Sequence, residues 1–255
     1  MERPPGTIEA LYEQVRALVA VQADGAPSVL HPVAPGIRVL ALRTPTLPPA
    51  AHTNVYLVGP EAGPVAVVDP GSPYLDQQRA LDAVLEELAR RLAGIVDVTR
   101  LVEDGEVIHG ATAVFTPGHA EGHLCFEVGA APIAGDMVAG IGSILIDPDE
   151  GDMALYLASL ERLLARPPAT LLPAHGPPIV DGPGKLAEYL RHRRMRETRV
   201  VDALASESTL PGLIASVYAD TPRELWPLAE RSLLAHLDKL VREDRARNVG
   251  GRWSR

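Results

Sequence analysis

Cysteine and aromatic residues are scarce in this sequence, and their scarcity excludes several ways of building a site. The only cysteine, Cys125, rules out an intramolecular disulfide and any cysteine-based metal cluster, and it favours a reducing compartment. Because Cys125 lies in the apolar run Leu124–Val128, we expect a buried, unreactive thiol. Aromatic residues make up 4% of the chain, so the core must consist mainly of Ala, Val, Leu and Ile.

The sequence also lacks long apolar runs and an excess of positive charge. No window approaches the ~18–20 consecutive apolar residues of a membrane span. The charged start Met1-Glu-Arg does not resemble a secretory leader. We therefore expect a cytoplasmic protein with no membrane contact. A net charge of −9 argues against a protein that coats nucleic acid, although a local basic patch can still bind RNA.

Apolar periodicity divides the 255 residues into an α/β part and a helical part. The spacing predicts strands over 37–42, 54–58 and 65–69, with two more between 107 and 128, and helices over 8–18, 74–91 and 152–165. Composition changes at Asp181-Gly-Pro-Gly184, after which helices are predicted over 185–206, 210–218 and 223–244, followed by a turn and a short strand. We expect an α/β domain over 1–180 and a small winged-helix-like domain over 181–255.

Four apolar runs end in a turn that carries one carboxylate or imidazole. The four turns are Asp69-Pro-Gly, Thr116-Pro-Gly-His119, Gly135-Asp136 and Pro173-Ala-His175-Gly. Imidazole and carboxylate are the usual nitrogen and oxygen donors to zinc, and rigid turns fix their direction. One such turn alone is usually only a turn, but four in succession indicate a layered α/β hydrolase with a metal site.

In this order the turns resemble those of the metallo-β-lactamase-fold hydrolases. Three further segments resemble the lactamase-β-like group, some of whose members are endoribonucleases: His52-Thr-Asn54, Tyr189–Glu197 and Leu234–Leu240. The similarity runs from about residue 35 to 245. It implies an αββα sandwich with a C-terminal winged helix and a zinc-dependent hydrolase activity.

The resemblance also implies roles for the residues at the turns. His119 would bind a first zinc and His175 a second, while Asp136 would bridge both ions and take part in proton transfer. Asp69 and His123 would orient these ligands. In the basic run after the last ligand, His192 and Arg193 would contact the substrate, for which we expect a small ester or thioester or RNA. The resemblance does not select the substrate, because this scaffold handles thioesters, phosphodiesters, lactones and β-lactams.

One large departure from the family pattern concerns the HxHxDH motif, which supplies most of the metal ligands. It belongs between the helix that ends near Arg91 and the strand before His119. The chain has no histidine from residue 53 to 108. A segment that would contain a strand, the ligand loop and part of a helix is therefore missing from the first half. Each zinc would keep two ligands, fewer than the three protein ligands typical of catalytic zinc. We expect none or one zinc ion instead of two.

Three functions remain open on this sequence. The first is a metal-dependent hydrolase by descent, with an incomplete active site. The second is a non-catalytic scaffold that binds RNA or protein through the winged helix and the basic helix. The third is a mononuclear hydrolase that uses only His119, Asp136 and His175. In each case the missing strand should leave an unpaired sheet edge, which favours association into a homo-oligomer.

Overall fold

A computed structural model describes residues 29–60, 65–92, 102–206 and 208–255. The helix predicted over 8–18 lies outside the described residues. Among them, no helix is both long enough and apolar enough to cross a lipid bilayer.

The first sheet is antiparallel, with its four strands in the order β1-β2-β3-β4. The strands are β1 His31–Ala34, β2 Ile37–Arg43, β3 His52–Val58 and β4 Ala66–Val68, followed by helix α1, Leu75–Leu92. In β3, Tyr56 and Val58 face the second sheet, whereas Val55 and Leu57 pack with Leu81 of α1. This alternation follows from the two-residue period of a strand, and it buries both faces of the sheet.

The second sheet has the strand order β5-β6-β7-β8-β9. Its strands are β5 Val107–Ile108, β6 Ala111–Phe115, β7 Leu124–Glu127, β8 Ile133–Gly135 and β9 Leu172–Pro173, with α2, Met153–Leu164, between the last two. Strand β9 runs parallel to β8, whereas the other pairings are antiparallel. Ile133 and Leu172 face the first sheet, and Val114 and Ala134 face α2.

The C-terminal elements form a helical unit with a small sheet. They are α3 Gly182–Ala203, β10 Ser208–Thr209, α4 Leu210–Val217, the 3₁₀ turn Arg223–Leu225, α5 Trp226–Arg242, β11 Arg247–Val249 and β12 Arg252–Ser254. Strand β12 lies between β10 and β11. Thr209 is the N-cap of α4, because its side chain accepts a hydrogen bond from the Gly212 N–H.

These layers confirm the predicted fold class, an αββα arrangement followed by a winged helix. Helix α3 belongs to both units: Leu186 and Leu190 pack in the α2 core, whereas Val200 packs in the winged-helix core. The boundary expected at residue 181 falls at the start of this shared helix and stays a prediction.

Candidate active site

The turn that presents His119 is docked on the start of α2. Gly118 has a φ of 130°, and a Cβ at this position would lie 2.2 Å from the Tyr156 backbone nitrogen. The Asp152 N–H donates a 2.8 Å hydrogen bond to the Gly118 carbonyl. Only glycine allows this approach, so the Pro-Gly pair in the sequence fixes where the imidazole emerges.

The two imidazoles at the site have the same tautomer. His119 Nδ1 lies 3.1 Å from the Leu145 carbonyl oxygen, and His175 Nδ1 lies 2.9 Å from that of His52. Because a carbonyl oxygen only accepts, each Nδ1 carries a proton, and the Nε2 of each ring faces the site. This arrangement is typical of histidines that bind metal through Nε2.

Asp136 brings the two imidazoles together. Its Oδ2 lies 3.7 Å from His119 Nε2, and its Oδ1 lies 3.3 Å from His175 Nε2. Two lone pairs facing a carboxylate repel it unless a proton or a cation lies between them. The structure thus assembles the three residues predicted as ligands, with each imidazole next to a different carboxylate oxygen.

His123 holds the backbone of Asp136. Its Nε2 accepts a 3.0 Å hydrogen bond from the Asp136 N–H, and its Nδ1 lies 2.9 Å from Thr116 Oγ1. Burial lowers the pKa of His123 to about 4, against the opposing effect of Asp136, so the ring is neutral near pH 7. A Cβ on Gly135 would lie 2.5 Å from His123 Nε2, which explains the glycine before Asp136. The orienting role that the resemblance implies for His123 stays a prediction.

Cys125 lies behind His123 and is 1% exposed. Thr116 Oγ1 lies 3.3 Å from its Sγ. The expected burial of Cys125 is confirmed, and burial raises the pKa of its thiol to about 12, which favours the protonated form.

Asp69 directly follows β4 and lies near Asp136. Its backbone has a φ of 56°, and with His123, Asp136 and His175 it lines an opening of about 630 Å³. The pKa of Asp69 is raised, first because protein surrounds its carboxyl group and second because the Asp136 carboxylate is near, although the residue as a whole stays exposed. The first sheet therefore contributes one carboxylate to the site.

These donors do not fit a two-zinc centre. Each imidazole approaches a single oxygen of Asp136, which gives two protein donors at each position, whereas catalytic zinc typically has three. Within residues 29–60, 65–92, 102–206 and 208–255, no group of three or more His, Cys, Asp or Glu side chains is arranged to hold one ion. The mononuclear site considered from the sequence stays a prediction.

A cleft of about 210 Å³ opens above His119, Asp136 and His175. Residues 45–50 form one wall and residues 141 and 143–145 another, and both are mainly apolar. The remaining charged lining residues are Asp147 and Glu150, and among the described residues no lysine or arginine lines the cleft.

The basic run of α3 lies outside this lining. Arg193 is 4% exposed and donates to the carbonyl of Ile144 from behind the cleft wall. His192 is half-buried, and its pKa is lowered, first by burial and then by Arg193. Their predicted contact with substrate stays a prediction, and the contact that Arg193 does make is with the wall.

The sequence did not predict the side chains outside the cleft that hold the His175 turn and the segment next to His119 in place. Asn54 Nδ2 donates to the carbonyls of Pro173 and Gly176, both at 2.9 Å, and so ties β3 to the His175 turn. Arg231 of α5 binds Asp147, close to the carbonyl that orients His119. The segment His52-Thr-Asn54 was noted as a family signature, but nothing in the sequence pairs Arg231 with Asp147.

Two sheets face to face, outer helices and a His-Asp-His cluster at the strand ends define the metallo-β-lactamase fold. The family model described as the metallo-beta-lactamase superfamily matches residues 87–175, and that described as the beta-lactamase associated winged helix domain matches residues 209–253. The chain belongs to the metallo-β-lactamase superfamily and carries the winged-helix domain associated with it.

Curated relatives are similar over part of their length. A lactamase-like protein of Penicillium aethiopicum is 37% identical over 161 residues, which are 57% of this chain and 51% of the relative. An atrochrysone carboxyl ACP thioesterase of Emericella nidulans is 28% identical over 233 residues, 75% of this chain and 73% of that protein. The chain spans about half the length of the first curated relatives it matches.

Solved structures match over nearly the whole chain. A metallo-beta-lactamase family protein of Thermus thermophilus has a TM-score of 0.70 at 20% identity and covers 88% of this chain and 100% of its own. A beta-lactamase domain protein of Burkholderia ambifaria has a TM-score of 0.73 at 18% identity, with coverages of 91% and 96%. At these identities the two structures support the fold alone.

Proposed function

We propose that the cleft above Asp136 receives a small acyl ester or thioester. The observation that carries this proposal is the lining: apolar walls, acidic residues at one end, and no lysine or arginine among the described lining residues. RNA phosphates are held mainly by lysine, arginine and other donors. Asp147 is already paired with Arg231, and no lysine or arginine among the described lining residues offsets the carboxylates of Asp136 and Glu150. An acyl group instead gains from contact with Leu47, Ile141 and Ile144.

The size of the cleft and one relative support the same substrate class. The cleft alone, at about 210 Å³ and without the adjoining opening of about 630 Å³ beside Asp69, suits a short acyl group better than a nucleotide. The relative from Emericella nidulans is named as a thioesterase, which places thioester chemistry among proteins similar to this chain.

Binding and turnover are separate questions for this chain. In this superfamily a metal pair supplies the attacking hydroxide. The described donors do not fit that pair, so we assign substrate binding to the cleft and no catalytic step to any residue. What the chain's own residues supply is orientation: two Nε2 atoms and one carboxylate converge on the cleft floor.

A binding experiment tests the proposed ligand. Calorimetry would measure the affinity of a short acyl thioether, a non-hydrolysable thioester analogue, with an RNA oligonucleotide as the contrasting probe. Ile141→Arg places a cation in the cleft wall and should weaken the thioether at least about tenfold, since it removes apolar contact. Val180→Arg, at a residue 84% exposed and outside the cleft, should change nothing. Tighter binding of RNA than of the thioether, insensitive to Ile141→Arg, would overturn the proposal.

A second candidate is the non-catalytic scaffold, and the count of donors favours it. The discriminating assay follows hydrolysis of a short acyl thioester with saturating zinc, using Asp136→Ala as the matched control. A rate equal to that of the control supports the scaffold, and a rate far above it supports an enzyme. An RNA partner for this scaffold finds little support on α3, where Arg196 and Arg199 are both paired with Asp220.

A further inference from the structure

Residues 144–152, here called the strap, are bonded to the His119 turn at both ends. Near the start of the strap, the Leu145 carbonyl accepts the hydrogen bond from His119 Nδ1 at 3.1 Å. At its end, the Asp152 N–H donates to the Gly118 carbonyl at 2.8 Å. The orientation of His119 therefore depends on where the strap lies.

Helix α5 of the winged helix holds the strap through two arginines. Arg231 binds Asp147 with both arms of its guanidinium, Nε to Oδ2 at 2.9 Å and Nη2 to Oδ1 at 2.5 Å. Asp147 is 4% exposed, so this forked pair lies largely out of water. Arg231 also reaches Asp149, and Arg242 binds Asp152, the N-cap of α2.

Asp147 connects Arg231 to the backbone of the strap through its own hydrogen bonds. Its Oδ1 accepts the Asp149 N–H at 2.9 Å, and its carbonyl accepts the Gly151 N–H at 2.7 Å. Without Arg231, the nearly buried Asp147 carboxylate would lose both hydrogen bonds from the guanidinium group and would turn toward water. Because Asp147 is only two residues from Leu145, that movement would displace the carbonyl that orients His119.

His175 provides an internal reference for this coupling. Its Nδ1 donates to the carbonyl of His52 in β3, a strand of the first sheet. None of the hydrogen bonds and ion pairs of the strap described above involves His52. A change that acts through the strap should therefore affect His119 and leave His175 as it is.

We infer that Arg231 is a positioning residue for His119, so that the winged helix sets the geometry of the site through the Asp147 side chain and the Leu145 carbonyl. This inference concerns the chain's own imidazoles and holds for any substrate, so it can fail while the proposed ligand stands, or stand while the ligand fails.

The test is the tautomer of each imidazole, observed by long-range ¹H–¹⁵N correlation in the labelled full chain at one pH above the imidazole range. In the unmodified protein, His119 and His175 should both show the Nδ1–H pattern. In Arg231→Ala, His119 should lose that pattern and show a mixture of tautomers, whereas His175 keeps it. Arg231→Lys keeps the positive charge but cannot make both hydrogen bonds to Asp147, so His119 should show the Nδ1–H pattern in part.

Two further variants keep the test decisive. Arg199→Ala removes the same charge from an arginine that binds Asp220, away from the strap, and should leave both rings unchanged. If Arg231→Ala does not fold, Asp147→Asn breaks the same pair while keeping the side-chain size, and the same selective effect on His119 is expected. An unchanged His119, or equal changes at His119 and His175, would overturn the inference.

Discussion

The two sheets contribute unequally to the site, and the contrast locates where this chain departs from its superfamily. The second sheet and the loops after it deliver His119, His123, Asp136 and His175, each fixed by a hydrogen bond to its ring or backbone. The first sheet delivers Asp69 and the carbonyl of His52. The second sheet thus supplies the candidate ligands, each held in one orientation. The first sheet supplies a carbonyl that orients one of them and almost no ligands of its own.

This contrast has its origin in the sequence between α1 and β5. Helix α1 is described to Leu92 and β5 begins at Val107, and the chain has no histidine from residue 53 to 108. The ligands that the superfamily draws from this part of the chain are therefore absent, while those drawn from later turns are kept. The lesson is that ligand geometry on one sheet persists without its partners on the other.

The largest expected effect comes from breaking the better-ordered half. Gly118→Ala puts a Cβ 2.2 Å from the Tyr156 nitrogen, at a φ that disfavours other residues, so the His119 turn must leave α2. We expect a loss of about 4 kcal/mol in the free energy of unfolding, measured by urea denaturation. Gly122→Ala is the matched control, because a Cβ there meets nothing within 4 Å. Equal losses for the two variants would contradict this account of the turn.

The second-largest effect should be a loss of stability of the C-terminal helical unit at low pH. The pKa of Glu197 is lowered to about 2, first by the His236 ring and then by Lys239 and Arg245. Since His236 Nδ1 is 3.9 Å away and Lys239 Nζ is 2.8 Å away, we give the lysine the greater weight. The folded pKa lies below the unfolded one, so Glu197 stabilises the fold above its ordinary pKa and loses this effect as the pH falls toward 2.

The corresponding measurement is the free energy of unfolding against pH. Between about pH 4.5 and pH 2 the unmodified protein should lose about 2 kcal/mol through this group, less than the full pKa shift implies, because water screens a half-buried carboxylate. Glu197→Gln should be less stable at pH 7 and should lack this part of the slope. The same slope in both proteins would exclude Glu197 as its source.

A middle-sized effect should come from cutting the link between the two sheets. Asn54→Ala removes the bonds to the carbonyls of Pro173 and Gly176, and Asn54 is 8% exposed. We expect a loss of about 2 kcal/mol, since buried polar groups lose their partners. Asn248→Ala, in the exposed wing, breaks one bond to the Gly251 N–H and should cost less than about 1 kcal/mol. A larger loss for Asn248→Ala would count against the link.

The smallest effect sharpens the contrast by excluding exposed ion pairs as its cause. Glu161→Gln breaks the contact with Arg194, whose side chain is 61% exposed. We expect a change of about 0.5 kcal/mol or less, and less again in high salt, because water screens the pair. A loss above about 1 kcal/mol in thermal unfolding would show that surface charge contributes more than we propose.

The sequence predicted the parts of the site that residue type encodes. His119, Asp136 and His175 follow apolar runs in Gly/Pro turns, and the structure brings them together around one carboxylate. The two-residue period likewise predicted β2, β3 and β4, and β3 buries its two faces against different layers.

The rest depends on long-range contacts that residue type does not encode. The acceptors that orient His119 and His175 are backbone carbonyls, and any residue carries one. Arg231 and Asp147 are 84 positions apart, and Arg193 reads as an exposed basic residue until packing buries it. Within the described residues, β4 pairs on one side only, with β3. The homo-oligomer expected from such an edge stays a prediction.

The number of zinc ions that each chain holds is the decisive measurement for this site. The purified, untagged chain would be equilibrated with excess zinc, freed of loosely bound ions by gel filtration, and analysed by mass spectrometry for zinc per chain, beside Asp136→Ala. The account predicts at most one zinc, because two donors at each position do not hold a pair. Two zinc ions per chain, lost in Asp136→Ala, would contradict it.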